Sequence, residues 1–238
     1  MPARSTMPFV LMYHSVAPRD DDPYRITVSP WRFAEQMRWL RRQGLRGVSV
    51  GALLAACDAG HATGLVGLTF DDGYADFDHH VAPVLDRHGF GATVFVVAGH
   101  LGGHNDWDRA GRRRQLLTAA QVRQVVARGF EVGSHGLHHR PLDTEDTELL
   151  RAEMLTSKQV LEDLLGQRVP GFCYPYGAVN PSAELAALAF GYEYAVATWP
   201  TGRRARHAIP RTYVGEADRS VRLRAKRVRH RLTFGGAR

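Results

Sequence analysis

The sequence of 238 residues contains only two cysteines and no apolar run that approaches the roughly 20 residues a membrane-spanning helix needs. Its cysteines, Cys57 and Cys173, fit reduced thiols. The apolar run at 9–13 is shorter than the core of a signal peptide, which needs about 7–15 residues, and no small-residue cleavage site follows it. Internal repeats and long low-complexity tracts are also lacking. These absences predict a cytoplasmic protein of one large domain or two small ones.

Positive charge is concentrated at one end of the chain. Residues 203–238 contain twelve Lys and Arg against two acidic residues, so the rest carries about −3 of the total net charge of +7. A nucleic-acid-binding domain would interleave basic and aromatic residues throughout its fold. The sequence therefore predicts no nucleic-acid partner, and it divides into a main domain at 8–216 and a basic tail at 217–238.

The basic tail has the spacing of an amphipathic helix. Its apolar positions recur every three or four residues, at Val221, Ala225, Val228 and Leu232. One interpretation is a terminal helix that packs on the main domain through this stripe. The other is peripheral contact with an anionic membrane, because each basic residue near such a surface contributes roughly 1 kcal/mol. His230, which lies among the arginines, is predicted to be solvent-exposed.

Short apolar runs rich in β-branched residues alternate with helical patterns along the chain. Eight candidate strands lie at 9–13, 47–50, 66–70, 92–97, 130–133, 171–174, 194–198 and 211–214. This alternation predicts an α/β fold with a mainly parallel sheet, either a closed barrel or an open doubly wound sheet. Polar residues follow several different strands, which favours the barrel. The open sheet would need a glycine-rich phosphate loop after its first strand, and none is present.

Two motifs combine into a candidate metal site. Asp71 and Asp72 directly follow an apolar strand, where two adjacent carboxylates would repel each other and be costly to bury. His135 and His139 are four residues apart, so on one helical turn they would share a face. Two imidazoles and one of the carboxylates make a three-point metal site with open positions for water. A structural alternative is a helix cap at Asp72 and a buried, hydrogen-bonded His135.

Three ordered motifs resemble those of the polysaccharide deacetylases, the NodB-homology or family 4 carbohydrate esterases. They are TFDDG at 69–73, SHGLHH at 134–139 and FCYPYG at 172–177, and the similarity covers roughly residues 8–216. The second motif usually has Ser or Thr where Gly136 stands. The resemblance implies a distorted (β/α) barrel of about seven parallel strands and one divalent metal ion, most often Zn²⁺. It also implies hydrolysis of an N-acetyl group from an amino sugar.

The resemblance also implies roles for individual residues. Asp72, His135 and His139 correspond to the metal ligands, with His138 as an alternative to His139. Asp71 corresponds to the general base, and the backbone N–H of Tyr176 to a donor that holds the oxyanion.

The sequence departs from the family pattern at three motifs. Cys173 replaces the usual arginine of the third motif, and Arg211 either substitutes for it from another strand or is an ordinary surface residue. The fourth motif, of the type Asp-x-x-Asp-Trp, has no clear match, although Trp199 lies in the right region to line a sugar pocket or pack in the core. The final Leu-x-His motif is missing near the C-terminus.

The segment LMYHS at 11–15 resembles that missing motif, transferred to the first strand. Because the first and last strands of a closed barrel are neighbours, this order is compatible with the fold. His14 is therefore predicted to be the general acid. The alternative is a buried histidine that is hydrogen-bonded to a neighbouring strand.

The predicted function is metal-dependent removal of an N-acetyl group from an amino sugar or glycoconjugate. Alternatives are an amidase or deformylase acting on a non-sugar amide, and a catalytically inactive sugar-binding module.

Non-haem iron oxygenases also bind metal through two histidines and a carboxylate. They would need neither the second carboxylate nor a distant His14. For a cytoplasmic protein the substrate is expected to be small, such as a sugar nucleotide, a lipid-linked amino sugar or an N-acetylated glycoside.

Overall fold

The computed structural model of the chain describes residues 7–18, 22–198 and 205–235. In chain order the strands are β1 (Val10–Tyr13), β2 (Ser15–Val16), β3 (Thr27–Val28), β4 (Arg46–Val48), β5 (Leu65–Phe70), β6 (Thr93–Val96), β7 (Glu131–Ser134), β8 (Gly171–Cys173), β9 (Tyr194–Thr198) and β10 (Ile209–Tyr213). The helices are α1 (Pro30–Arg42), α2 (Val50–Asp58), α3 (Ala82–His88), α4 (Ala119–Ala127), α5 (Thr147–Leu150), α6 (Ser157–Leu165), α7 (Pro181–Ala189) and α8 (Ser220–Phe234). Single π-helical turns lie at Phe77–Val81 and Arg151–Thr156, and 3₁₀ turns at Ala98–His100 and Pro175–Gly177.

Seven parallel strands close into a barrel, as predicted. The ring runs β1, β5, β6, β7, β8, β9, β10, and β1 closes it by pairing with both β5 and β10. Strand β4 pairs with the first half of β5 and adds an eighth strand to the sheet. Because Tyr13 lies beside Phe70 in this register, His14 and Asp71 leave the barrel side by side.

The helix boundaries follow capping signals that are visible in the sequence. Thr118 and Gln121 form a capping box at the start of α4, and Asn180 caps α7 before Pro181. Gly89 and Gly166 adopt left-handed backbone angles that end α3 and α6. The strand predicted at 47–50 ends at Val48, because Ser49 caps α2 instead.

The barrel strands are buried almost throughout. Their sequences are therefore continuous apolar runs and do not alternate between apolar and polar residues. All four residues of β1 are buried, as are the last five of β5. A set of rings packs edge to face between these strands and the outer helices, comprising Tyr13, Phe33, Phe70, Phe77 and Phe130. This packing gives the carboxyl ends of the strands a rigid base.

The terminal helix α8 does not pack on the barrel through the stripe at Val221, Ala225, Val228 and Leu232, which was one of the two interpretations of the basic tail. Leu223, His230 and Phe234 are buried, whereas Val221 is 78 % exposed and Leu232 is 82 % exposed. The prediction that His230 is solvent-exposed is wrong, because its ring packs between Phe9 and Phe234. The helix has two apolar stripes on opposite sides, and only tertiary packing selects between them. The division into residues 8–216 and 217–238 stays a prediction.

Within the described residues, none of the helices combines the length and the apolar character that crossing a membrane would require.

Candidate active site

A cleft of about 310 Å³ opens at the carboxyl end of the barrel. Several strands each deliver a polar side chain to it, as is usual for (β/α) barrels. His14 follows β1, Asp71 and Asp72 follow β5, His135 follows β7, and Arg211 lies within β10. The seven residues to which the sequence assigned catalytic or metal-binding roles all line this cleft, namely His14, Asp71, Asp72, His135, His139, Tyr176 and Arg211.

Three ligand atoms converge on one side of the cleft. Asp72 Oδ1 lies 3.2 Å from His135 Nε2 and 3.3 Å from His139 Nε2, and all three side chains are buried. Asp72, His135 and His139 therefore form a group whose ligand atoms lie within 4.8 Å of one another. His138 is exposed and lies outside this group.

The donor set fits a divalent metal ion. Asp72 Oδ1 is buried and accepts no hydrogen bond within the described part of the chain. His135 Nδ1 lies 2.8 Å from the carbonyl oxygen of Cys173, so it carries the proton and leaves the Nε2 lone pair directed at the group. A buried carboxylate oxygen without a donor, beside two imidazole nitrogens, is the arrangement that a cation satisfies.

The charge states of Asp72 and His139 suit a cation, whereas His135 would have to give up a proton to bind it. Burial opposes the protonated form of His135, but Cys173 and Asp72 outweigh burial and raise the pKa of this imidazole. Burial opposes ionisation of Asp72, but the two imidazoles outweigh this effect and hold its pKa well below the usual range. Burial lowers the pKa of His139, which favours the neutral imidazole that binds metals.

The two histidines do not lie on a helical turn, so that prediction was wrong. Residues 135–139 form an irregular loop in which Gly136 has a φ of 83° and His139 a φ of 58°. The loop is held by hydrogen bonds from Ala98 and Gly99 to the carbonyl oxygens of Gly136 and Leu137. The spacing of four residues brings the imidazoles together through this bend rather than through helical periodicity.

Glu153 supports the backbone of this loop, which no pattern in the sequence predicted. Its Oε2 accepts hydrogen bonds from the backbone N–H groups of Leu137 and His138, at 3.0 and 2.9 Å. The side chain is 1 % exposed and, within the described residues, forms no ion pair. A Cβ atom at Gly136 would lie 2.8 Å from the same oxygen, which explains why glycine stands in the Ser/Thr position of the motif.

Asp71 is held by Arg211, and one of its carboxylate oxygens lies within 4.8 Å of ligand atoms of His135 and Cys173. The guanidinium contacts both carboxylate oxygens, at 2.6 and 2.7 Å, and both residues are buried. Burial opposes ionisation of Asp71, but Arg211 outweighs it and lowers the pKa of this carboxyl. Arg211 is therefore not a surface residue.

Cys173, which replaces the usual arginine, makes room for this guanidinium. Its sulfur lies 3.0 Å from Arg211 Nη2. Further hydrogen bonds run from Arg211 Nη1 to Thr69 Oγ1 and from its Nε to the carbonyl oxygen of Ala197. An arginine thus reaches Asp71 from β10, although its usual position on β8 is occupied by a smaller side chain.

His14 lines the cleft beside Asp71. Its Nε2 is 3.9 Å from Asp71 Oδ2, and its side chain is 16 % exposed. The Nδ1 atom is buried without a hydrogen-bond partner among the described residues, so the ring is not tied to a neighbouring strand through that nitrogen. The imidazole is therefore near the carboxylate and in contact with the open space of the cleft.

Two adjacent residues that sequence reasoning missed complete the cleft wall. The Trp107 ring stacks on His139, with centroids 4.4 Å apart, and Tyr176 contacts the same imidazole edge-on at 4.6 Å. Asp108 accepts a hydrogen bond from the Tyr74 hydroxyl and also lines the cleft. The pair Trp-Asp in a polar loop between β6 and α4 was the available signal. Trp199, considered for this role, lies outside the described residues.

Replacement of Glu153 is expected to weaken metal binding. In Glu153→Ala the two N–H groups lose their acceptor, so affinity for Zn²⁺ should fall about 10–100-fold, the range for groups that orient metal ligands. Glu153→Gln keeps one oxygen acceptor and should lose less. Competition with a chelating dye measures both, alongside thermal unfolding.

Glu148→Ala is the matched control, because Glu148 is exposed on α5 and should leave Zn²⁺ affinity unchanged. Wild-type affinity in a folded Glu153→Ala protein would exclude the supporting role.

The chain is similar to known proteins in both sequence and fold. The sequence profile of the family described as Polysaccharide deacetylase matches residues 59–195. A candidate polysaccharide deacetylase of Bacillus subtilis, YxkH, is 28 % identical over 193 residues, which are 80 % of this chain and 64 % of that protein. The poly-β-1,6-N-acetyl-D-glucosamine N-deacetylase of Staphylococcus aureus is 23 % identical over 181 residues, with coverage of 70 % and 60 %. The chain thus spans less than two thirds of either relative.

Solved structures share the fold. The Streptococcus pyogenes deacetylase PplD in complex with acetate superimposes with a TM-score of 0.77 at 22 % identity, covering 93 % of this chain and 98 % of that one. IcaB from Ammonifex degensii gives 0.77 at 24 % identity, with coverage of 94 % and 97 %. The profile match spans more than half of the 238 residues and includes both Asp72 and the His135–His139 loop. The chain therefore belongs to the polysaccharide deacetylase family.

Proposed function

We propose that this protein is a metal-dependent hydrolase that removes the N-acetyl group from an amino sugar. The observation that carries the proposal is the pairing of two differently held carboxylates in one cleft. Asp72 lies with two imidazoles, and Asp71 lies with a guanidinium. The first arrangement suits a cation, and the second suits a base that stays ionised.

Asp72, His135 and His139 would hold one divalent metal ion, most simply Zn²⁺. Two histidines and one carboxylate, with further positions open, are typical of catalytic zinc. When bound, such an ion polarises an amide carbonyl and lowers the pKa of water.

Asp71 is assigned the role of general base. It is ionised because Arg211 outweighs the effect of burial, and it is held in one orientation by two hydrogen bonds from the same guanidinium. Asp71 Oδ2 takes the proton of the attacking water as the hydroxyl adds to the acetyl carbon. Arg211 is thus a positioning residue that preserves the charge and the direction of the base.

His14 and Tyr176 complete the reaction. His14 Nε2 donates a proton to the sugar nitrogen as the C–N bond breaks, so the products are acetate and a protonated amine. The backbone N–H of Tyr176 donates to the oxygen on which negative charge develops. Proton acceptance by Asp71 and proton donation by His14 require opposite protonation states of the two groups at one pH.

The rim of the cleft supports a sugar substrate. Tyr24 and Tyr176 both line it and are 46 % and 60 % exposed, so their rings can stack on the apolar face of a pyranose. The name of the Staphylococcus aureus relative specifies an N-acetylglucosamine polymer. We infer an N-acetylated hexosamine, whether free, oligomeric or glycoconjugated. The cytoplasmic location expected from the sequence stays a prediction.

Metal content separates the two candidate histidines. His139→Ala removes an atom that faces Asp72 Oδ1, so the purified variant should contain far less than one Zn²⁺ per chain. His138→Ala should retain the wild-type content, because His138 is exposed outside the group. Elemental analysis of both purified variants measures their Zn²⁺ content. Loss of Zn²⁺ from His138→Ala and its retention in His139→Ala would mean that His138 is the ligand.

Turnover tests the role of Asp71. Asp71→Asn should keep its metal but lose about 10²–10⁴-fold in kcat, the usual contribution of a general base. The measurement is acetate release from N-acetylglucosamine oligomers, with N-formyl and non-sugar N-acetyl amides as parallel substrates.

Near-normal turnover by Asp71→Asn would exclude it as the base. Preference for a non-sugar amide would retain the metal-dependent hydrolase but replace the sugar substrate. Wild-type protein that is metal-loaded and inactive on all three substrate classes would contradict the proposal.

A further inference from the structure

The terminal helix α8 carries a second apolar stripe on the side that faces away from the barrel. Its inner side is formed by Leu223, His230 and Phe234, which are 3 %, 8 % and 7 % exposed. The outer stripe comprises Val221, Ala225, Val228 and Leu232. The intervals of four, three and four residues place these side chains on one face of the helix. Val221, Val228 and Leu232 are 78 %, 49 % and 82 % exposed.

Arginines border this outer stripe on both sides. At 100° per residue, Arg222 and Arg229 flank it on one side, and Arg224 and Arg231 on the other. The helix sequence SVRLRAKRVRHRLTF contains no acidic residue. Asp218, which precedes the helix, is buried and already engaged by Lys226 at 2.5 Å.

We propose that this outer face of α8 docks on an anionic lipid surface. An apolar stripe bordered by arginines is the pattern of helices that lie in the plane of a membrane interface. The aliphatic side chains would enter the acyl boundary, while the guanidinium groups remain level with the phosphate headgroups. The proposal is independent of the deacetylase activity, because it uses no residue of the cleft.

Charge argues against one other occupant, and the aliphatic centre of the face argues against a second. A second copy of the chain would bring two helices together, each with six basic residues and no acidic one, so the contact would be repulsive. A nucleic acid would be attracted by the arginines, but the centre of the face is aliphatic and offers no ring for base stacking.

Helix α7 provides an internal comparison. Leu185 and Leu188 on its surface are 66 % and 59 % exposed, which is similar to the α8 stripe. The α7 sequence PSAELAALA contains no basic residue, and Glu184 lies beside Leu185. Exposed apolar area without positive charge predicts no affinity for an anionic surface, so α7 is a matched control for α8.

The test is sedimentation of the whole chain with lipid vesicles. The wild type should pellet with phosphatidylcholine–phosphatidylglycerol vesicles at low salt, but not with phosphatidylcholine alone. Binding should fall at high salt, because the Debye length shortens from about 10 Å at 0.1 M to about 3 Å at 1 M.

Two variants separate the contributions of the stripe and its borders. The variant Val221→Gln/Val228→Gln/Leu232→Gln should bind at least tenfold more weakly, with an unchanged thermal unfolding midpoint because all three positions are exposed. Arg224→Gln/Arg231→Gln should reduce affinity and its salt dependence together. The control Leu185→Gln/Leu188→Gln should bind like the wild type.

Three outcomes would overturn the proposal. The first is that the wild type stays in the supernatant with anionic vesicles at low salt. The second is that the stripe variant binds as well as the wild type, which would reduce the contact to diffuse charge attraction. The third is that the stripe substitutions abolish a dimer in size-exclusion chromatography without affecting sedimentation, which would assign the face to a second copy.

Discussion

Two adjacent carboxylates at the end of one buried strand can both stay charged only if each has its own source of positive charge. Asp71 has the guanidinium of Arg211, and Asp72 belongs with His135 and His139 to a group whose donor set fits a cation. Without such partners, the repulsion between two carboxylates on adjacent residues would raise the pKa of one of them. Here the pKa of both carboxyls is lowered, although burial opposes this in each case. The partners of the two acids must therefore come from different strands, and this requirement determines the arrangement of the cleft.

Closure of the barrel supplies those partners. Arg211 is 140 residues from Asp71 in sequence, and it reaches the carboxylate because β1 joins β10 to β5. The same pairing brings His14 to Asp71 from the other end of the chain. Strand β1 lies between β5 and β10, so residues from both ends of the chain come within reach of Asp71. The closed barrel therefore brings the catalytic side chains together as well as supporting them.

The sequence predicted those features of the fold and the site that depend on local residue patterns. The apolar runs predicted the parallel strands, and the polar residues at their ends favoured the barrel and located the candidate site. Features decided by tertiary contact were missed. Glu153 looked like any polar residue of a helix, because its partners are backbone groups of a loop that begins eighteen residues earlier. The packing face of α8 was also not decided, because the sequence offers two apolar stripes and either face of this helix could have packed.

Backbone conformation explains how both carboxylates come to face the same cleft. In an extended strand successive side chains point to opposite sides, so a continued β5 would turn Asp71 and Asp72 apart. Asp72 instead has a φ of 70°, a left-handed conformation that costs a non-glycine residue about 1–3 kcal/mol. Only four described non-glycine residues have positive φ, and Asp72, His139 and Tyr176 all line the cleft. Strain is thus concentrated where the strands end, and the buried strand pairs behind the cleft hold it in place.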